Sequence, residues 1–185
     1  SSFNSGKIFF HFDSLLDNYY MRWSLSGPRG SVVSDRPFQQ SDASDGTSIL
    51  TLAPGDYELR VTATPGNGGS YAFRLLDLGD AALLTLGETV SGQLRPGNET
   101  DAYRFYASAG DRLFFDVTTA TGGAPYWRLL DPWGRTLWGP NYLPSDDVGL
   151  RTLPWSGTYT LLVEGRRDQL GAVTDYGLRV LPVAD

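Results

Sequence analysis

The chain of 185 residues repeats itself, and this repeat restricts the possible fold more than any other feature. Four short blocks recur in the same order, each about 101 to 105 residues after its first occurrence. The paired blocks begin at Ile8 and Leu113, at Trp23 and Trp127, at Leu52 and Leu153, and at Tyr71 and Tyr176. The sequence therefore predicts two copies of one domain, residues 1–78 and 79–185, each of ordinary domain size.

Within each copy, apolar residues alternate with polar ones over short runs that end at Gly, Pro, Asp or Asn. Residues 57–61 and 159–163 show this alternation, which predicts half-buried strands. An excess of Asp over Glu, 17 to 4, favours turns over helices. The predicted class is all-β, with two tandem jelly-roll-like β-sandwich domains. In the second copy, strands are expected near residues 88–94, 101–107, 111–118, 125–130, 135–139, 148–153, 157–164 and 174–182.

The first copy is expected to lack its N-terminal strands. It starts at the equivalent of the turn around Gly110, so nothing in it corresponds to 88–94 or 101–107. A sandwich without these strands has unpaired edges. Three explanations stay open: the sequence is part of a longer array, the strands lie upstream, or a neighbouring molecule adds its own strands.

Composition excludes several classes of function. The formal net charge of −6 repels nucleic acid and anionic lipid surfaces. Apolar runs are too short to span a bilayer. The absence of Cys excludes thiolate chemistry and disulfides. The chain opens without Met or a recognisable leader, so any signal peptide is expected to be removed or to lie upstream.

Five short motifs of the second copy occur in an order and spacing that resemble a known family. They are residues 101–105 (DAYRF), 109–111 (AGD), 129–134 (LLDPWG), 156–163 (SGTYTLLV) and 176–178 (YGL). Together they resemble the bacterial pre-peptidase C-terminal (PPC) domain family, which is related to the collagen-binding domains of clostridial collagenases. The resemblance implies a non-catalytic, often tandem, secreted or cell-surface β-sandwich attached to a protease or large extracellular protein. It also implies that calcium, collagen or an insoluble polymer can be a ligand.

Acidic residues of the second copy gather at one predicted end of the sandwich. Because successive strands alternate in direction, segments 95–101, 119–124, 140–147 and 165–174 share that end. Calcium (Ca2+) prefers oxygen ligands of the kind they carry. The predicted metal set is Asn98, Glu99, Asp101, Asp146, Asp147 and Asp175, with Asp168 nearby. The alternative is that these Asp residues cap turns, with water as their partner. That alternative is favoured for the matching residues of the first copy, Asp13, Asp17, Asp42 and Asp45.

Aromatic residues mark the opposite end. Trp133 and Trp155 lie at predicted turn tips, where burial is difficult, and Trp138 and Tyr142 lie close by in sequence. Exposed rings of this kind stack on sugars or pack against a partner protein, so these four are the predicted ligand-binding residues. The alternative is that Trp138 belongs to the core and that the two turn tryptophans fold back over the sandwich.

The sequence favours a binding function over catalysis. Its one His, His11, alternates out of phase with the apolar residues around it, and no nucleophile elbow or phosphate-binding loop is present. We expect a non-catalytic extracellular module that serves adhesion, substrate targeting or spacing, with a glycan, a fibrous protein or a neighbouring subunit as partner. The first alternative is a fibre subunit assembled by strand complementation. The second is a polysaccharide-acting enzyme that uses Asp pairs.

Overall fold

The computed structural model describes residues 8–14, 19–41, 43, 48–144 and 148–184. The chain divides into two compact units, residues 1–79 and 80–185. Regular structure is almost entirely β, which confirms the predicted all-β class. Short 3-10 turns, at Phe38–Gln40, Leu78–Asp80 and Arg167–Gln169, interrupt the strands. Within the described ranges, no helix is long and apolar enough to cross a membrane.

The strands are short, and several of them, such as β2 and β9, alternate between buried and more exposed residues as predicted. In the first unit they are β1 (Ile8–Ser14), β2 (Met21–Gly27), β3 (Gly30–Pro37), β4 (Ile49–Leu52), β5 (Glu58–Ala63) and β6 (Phe73–Asp77). In the second unit they are β7 (Ala82–Leu83), β8 (Thr89–Leu94), β9 (Thr100–Ala107), β10 (Arg112–Thr121), β11 (Tyr126–Leu130), β12 (Thr136–Tyr142), β13 (Gly149–Thr152), β14 (Gly157–Glu164) and β15 (Thr174–Pro182).

The second unit is a sandwich of two sheets. One sheet has the strand order β13-β10-β15-β8, and the other has the order β12-β11-β14-β9-β7. Strand β7 runs parallel to β9, and the other neighbours are antiparallel. Alternate side chains of both sheets point inward, so Phe105, Phe115 and Trp127 meet in one buried core.

The described strands of the first unit repeat part of this architecture. Its sheets have the orders β4-β1-β6 and β3-β2-β5, which match β13-β10-β15 and β12-β11-β14. The strand pairs β2–β3 and β11–β12 share an irregularity. The register shifts on both sides of Leu25 in the first pair and on both sides of Leu129 in the second. In the described residues of this unit, no strand takes the places of β8 and β9. The described strands agree with the predicted loss of N-terminal strands, which stays a prediction because residues 1–7 lie outside the described ranges.

Strand pairing corrects the sequence alignment of the first repeated block by two residues. Phe10 pairs with Leu50, and Leu113 pairs with Arg151. Leu50 and Arg151 both lie two residues before the leucine that opens the third repeated block. The structure therefore equates Phe10, and not Ile8, with Leu113. The aromatic run around Phe10 can be aligned with residues 113–117 in either register. For this reason the sequence alone misaligned the first repeated block.

The corrected register reveals a repeated cross-strand pair of opposite charges. The alignment that pairs Ile8 with Leu113 equates His11 with Asp116. In the corrected register, Asp13 takes the position of Asp116. Asp13 lies opposite Arg74 in the register of β1 and β6. Asp116 lies opposite Arg179 in the register of β10 and β15, and their side chains form an ion pair. Both copies thus place an Asp opposite an Arg at the same point of the same sheet.

Each unit also contains the same tyrosine-closed turn. The Tyr159 hydroxyl donates a hydrogen bond to the carbonyl oxygen of Trp155 at 2.7 Å, and the Tyr57 hydroxyl donates one to the carbonyl oxygen of Ala53 at 2.7 Å. In both cases the acceptor lies four residues before the tyrosine. This bond fixes the turn that leads into β14 or β5 and resembles the tyrosine corner of other β-sandwiches.

We expect Tyr159→Phe to lower the free energy of unfolding by about 1 to 2 kcal/mol, because it removes the two hydrogen bonds that the buried hydroxyl makes with the backbone of Trp155. Tyr57→Phe is the matched change in the first unit, where the tyrosine is half-buried and the loss should be smaller. Urea denaturation followed by circular dichroism measures both. Equal stability of wild type and Tyr159→Phe would contradict the structural role of the corner.

Candidate functional site

Two turns at one end of the second unit bring two exposed tryptophan rings together. Trp133 lies in the turn between β11 and β12, and Trp155 lies in the turn between β13 and β14. Their ring centroids are 5.3 Å apart, and the ring planes meet at 84°. The guanidinium carbon of Arg135 lies 5.1 Å from each ring centroid. We call these three side chains the tryptophan cluster.

A buried carboxylate holds the turn that carries Trp133 and Arg135. Asp131 is only 4% exposed. Its Oδ1 atom accepts hydrogen bonds from the backbone N–H groups of Trp133 and Arg135, both at 2.9 Å. Its Oδ2 atom accepts one from Nε of Arg135 at 2.7 Å. Charge-assisted bonds of this kind are stronger than neutral ones, so the turn and its cation form one ordered group.

The tyrosine corner holds the other ring. The Trp155 carbonyl accepts from the Tyr159 hydroxyl, and the Trp155 N–H donates to the same hydroxyl oxygen at 3.2 Å. Trp133 is 52% exposed and Trp155 is 36% exposed, although both belong to turns that are fixed by buried groups. The two rings are therefore presented to solvent from a rigid base.

The first unit shows that the fold does not require this cluster. It has a turn at each of these two places, each one residue shorter. Arg29, two residues after Gly27, and Ala53, four residues before Tyr57, stand where the second unit has its tryptophans. Gly27 replaces the carboxylate of Asp131. The two exposed tryptophans are therefore a feature of the second unit that the repeated scaffold does not need.

The other two predicted ligand-binding residues lie apart from the cluster. Trp138 is half-buried, with its ring centroid 5.2 Å from those of Phe115 and Trp127, so its ring is part of the core. Tyr142 is half-buried and packs edge-on against Tyr126 at 6.2 Å. Sequence reasoning missed Arg135, although its position two residues after Trp133 in a tight turn was an available signal.

Of the six predicted calcium ligands, the four that the structure describes do not form one oxygen cage. Glu99 accepts from the N–H of Arg95, Asp101 accepts from the Tyr176 hydroxyl, and Asp175 accepts from the side chain of Gln93. Asn98 is buried near the start of β9. Asp146 and Asp147 lie outside the described residues. Among the described residues, no group of three or more His, Cys, Asp or Glu side chains could hold a metal ion. Calcium binding stays a prediction.

The acidic end of the second unit instead contains a hydrogen-bonded tyrosine pair. The Tyr176 hydroxyl donates to Asp101 at 2.6 Å, and the hydroxyl oxygens of Tyr176 and Tyr103 are 2.5 Å apart. Burial raises the pKa of Tyr176 far above its usual value, and the carboxylate of Asp101 acts in the same direction. Burial also raises the pKa of Tyr103. The pair links β9 in one sheet to β15 in the other.

Comparisons with known proteins give a partial structural likeness. No family model matches the chain, and no curated protein matches it. Among solved structures, PliG from Aeromonas hydrophila, a periplasmic inhibitor of g-type lysozyme, is similar at 16% identity and a TM-score of 0.42, over 54% of this chain and 95% of that chain. PliG from Salmonella Typhimurium is similar at 23% identity and a TM-score of 0.41, over 56% of this chain and 97% of that chain.

We expect Asp131→Ala to disorder the tryptophan cluster and to lower the free energy of unfolding by about 1 to 3 kcal/mol, because backbone N–H groups lose a buried acceptor. Near-UV circular dichroism should lose part of its tryptophan signal. The matched control is Asp168→Ala, which breaks an ion pair between half-exposed side chains at 3.0 Å. Its cost should be about 0 to 1 kcal/mol. Equal effects of the two changes would argue against a role for Asp131 in ordering the cluster.

The tyrosine pair predicts a loss of stability at alkaline pH. An unfolded tyrosine loses its proton near pH 10, whereas the raised pKa of Tyr176 keeps its hydroxyl protonated in the folded protein. The stabilisation is therefore complete below about pH 10 and falls as the pH rises above it. Tyr176→Phe should flatten this fall in urea denaturation series, whereas Tyr106→Phe, whose ring is 64% exposed, should not. An unchanged slope in Tyr176→Phe would refute the assignment.

Proposed function

We propose that this protein is a non-catalytic, exported binding module whose tryptophan cluster contacts a partner protein. The observation that carries the proposal is the pair of exposed rings at Trp133 and Trp155, held by buried groups at positions where the first unit has Arg29 and Ala53. Tryptophan and arginine are the residue types most enriched at the energetic centres of protein interfaces. The cluster combines both on a preorganised surface, which lowers the entropy lost on binding.

The geometry of the cluster favours a protein partner over a glycan. Sugar rings pack against a free aromatic face, as in other carbohydrate sites. Here Arg135 lies over a face of each tryptophan, and the two rings meet edge to face. One face of each ring is therefore occupied by the guanidinium, which leaves less aromatic face for a sugar ring. The exposed ring edges and the partly exposed guanidinium suit a mixed apolar and polar protein surface instead.

The proposed family remains the PPC domain, and its motifs include the turn that carries Trp133. With it we propose a secreted, periplasmic or cell-surface location, and a role in adhesion, substrate targeting or spacing within a larger bacterial protein. A polysaccharide-acting enzyme ranks below this proposal. The carboxylates of Asp101, Asp131 and Asp175 each serve a hydrogen bond that orders the fold, as described above.

Binding to insoluble polymers tests the proposal. We expect fibrillar collagen, the protein polymer that the resemblance implies, to retain the wild type. Trp133→Ala with Trp155→Ala should weaken retention by about 30-fold or more, since hot-spot residues contribute at least about 2 kcal/mol. Cellulose and chitin should retain little of either protein. Co-sedimentation over a range of polymer concentrations gives the apparent affinities.

The matched control is Tyr19→Ala, which removes an exposed aromatic ring from the first unit, 69% of it in solvent. It should leave retention unchanged, and circular dichroism should confirm that every variant is folded. Tryptophan-dependent retention on cellulose or chitin alone would replace the protein partner with a glycan. Retention that does not depend on either tryptophan would reject the cluster as the binding surface.

A further inference from the structure

The three side chains of the tryptophan cluster carry hydrogen-bond donors and no acceptor. An indole donates through one N–H group and a guanidinium through five, and neither accepts. Nε of Arg135 donates to Oδ2 of Asp131 at 2.7 Å. Within the described part of the chain, no hydrogen bond is made by the terminal nitrogens of Arg135 or by the indole N–H groups of Trp133 and Trp155. The cluster therefore has donors left for a bound group.

The carboxylate that pairs with Arg135 is buried, whereas the guanidinium is not. The side chain of Asp131 is 3% exposed, and that of Arg135 is 63% exposed. Both oxygens of Asp131 already accept hydrogen bonds from its own turn. A molecule that approaches this end of the second unit therefore meets the cation of the pair and not the anion. The cluster is a local positive site on a chain whose formal net charge is −6.

Two contacts hold the cation in place before any partner binds. The guanidinium carbon of Arg135 lies 5.1 Å from both ring centroids, so each ring contributes a cation–π attraction. The two turns also touch each other, since a Cβ atom at Gly157 would lie 2.7 Å from Cγ of Pro132. Because the side chain and its turn are already ordered, less entropy is lost when the terminal nitrogens bind an acceptor.

A carboxylate is the acceptor that fits these donors best. Its two oxygens match two N–H groups of a guanidinium, which gives a pair of charge-assisted hydrogen bonds. A neutral carbonyl accepts through one oxygen and brings no charge. Phosphate also pairs with a guanidinium, but the net charge of −6 repels phosphate polymers. A single carboxylate on a protein surface brings much less repulsion than such a polymer.

We propose that the tryptophan cluster binds a Glu or Asp side chain of its partner protein. The carboxylate accepts two hydrogen bonds from the terminal nitrogens of Arg135, and the rings of Trp133 and Trp155 pack against the apolar residues beside it. The rings exclude water from the pair, which strengthens each hydrogen bond. This inference rests on the proposed function, because it names the chemical group in the partner protein that the same cluster recognises.

A matched pair of peptides tests the proposal with the full chain. The probes are Gly-Pro-Glu-Pro-Gly, acetylated and amidated at its ends, and the same peptide with Gln in place of Glu. The indole N–H signals of the five tryptophans report binding in two-dimensional NMR spectra, and Trp133→Phe and Trp155→Phe assign two of them. The Glu peptide should shift these two signals saturably. It should bind about tenfold more tightly than the Gln peptide, because only Glu forms the charged pair.

Three variants locate the preference for Glu. Arg135→Gln should abolish it, so that both peptides bind with equal affinity. Arg135→Lys should keep only part of it, because an ammonium carries the charge but does not donate a bidentate pair. The matched control is Arg95→Gln, which removes an exposed arginine from another turn of the same unit and should leave the preference intact. Near-UV circular dichroism checks that the cluster stays ordered in each variant.

Three results would overturn the proposal. Equal binding of the two peptides by wild type would mean that the cluster recognises a neutral acceptor. A preference for Glu that persists in Arg135→Gln would assign the carboxylate to another part of the molecule. Failure of wild type to bind either peptide at millimolar concentration would mean that the cluster has no carboxylate site.

The outcomes also separate this inference from the proposed function. Tryptophan-dependent retention on collagen without a preference for Glu would keep the cluster as the binding surface and reject the carboxylate. A preference for Glu that depends on Arg135, without retention on collagen, would keep the carboxylate site and reject collagen as the partner.

Discussion

Burial of one tryptophan between two sheets is the interaction on which each unit depends. Trp23 on β2 and Trp127 on β11 occupy the same position of the repeat, and both are 0% exposed. Their surroundings differ. Nε1 of Trp23 donates to Ser41 at 2.8 Å, whereas the ring of Trp127 packs edge-on against Phe115 and Trp138. Burial of a side chain of this size provides a large share of the hydrophobic stabilisation of a small sandwich. The rest of each core is arranged around it.

Because this core is present twice, comparing the two units shows which features both share and which the second unit alone has. Both units keep the central tryptophan, the same register shifts, the Asp–Arg cross-strand position and the tyrosine corner. The second unit adds Asp131, Trp133, Arg135 and Trp155 at its turns and strands β7, β8 and β9 at its edges. The features that differ therefore include the one we connect with binding, the aromatic surface at the turns of the second unit.

Buried polar groups order the second unit in two places. The sequence predicted a ligand at one of them and no feature at the other. The Asp101–Tyr176–Tyr103 network links the two sheets at the end where a calcium site was predicted. Arg128 and Glu164 form an ion pair of 2.6 Å between Nε and Oε2, with side chains at most 1% exposed. Charges of this kind are kept in the interior only when they pair well, because desolvation costs each of them several kcal/mol.

The sequence by itself determined the duplication, the all-β class and nearly all strands of the second unit. These features depend on local alternation and on repeat spacing, which sequence displays directly. Only the tertiary structure decided the register of β1, because Phe9, Phe10 and Phe12 allow two alignments. It also decided that β7 pairs with β9, that Arg135 joins the two tryptophans, and that Trp138 packs in the core. Each of these outcomes depends on which distant strands become neighbours, and no local pattern encodes that.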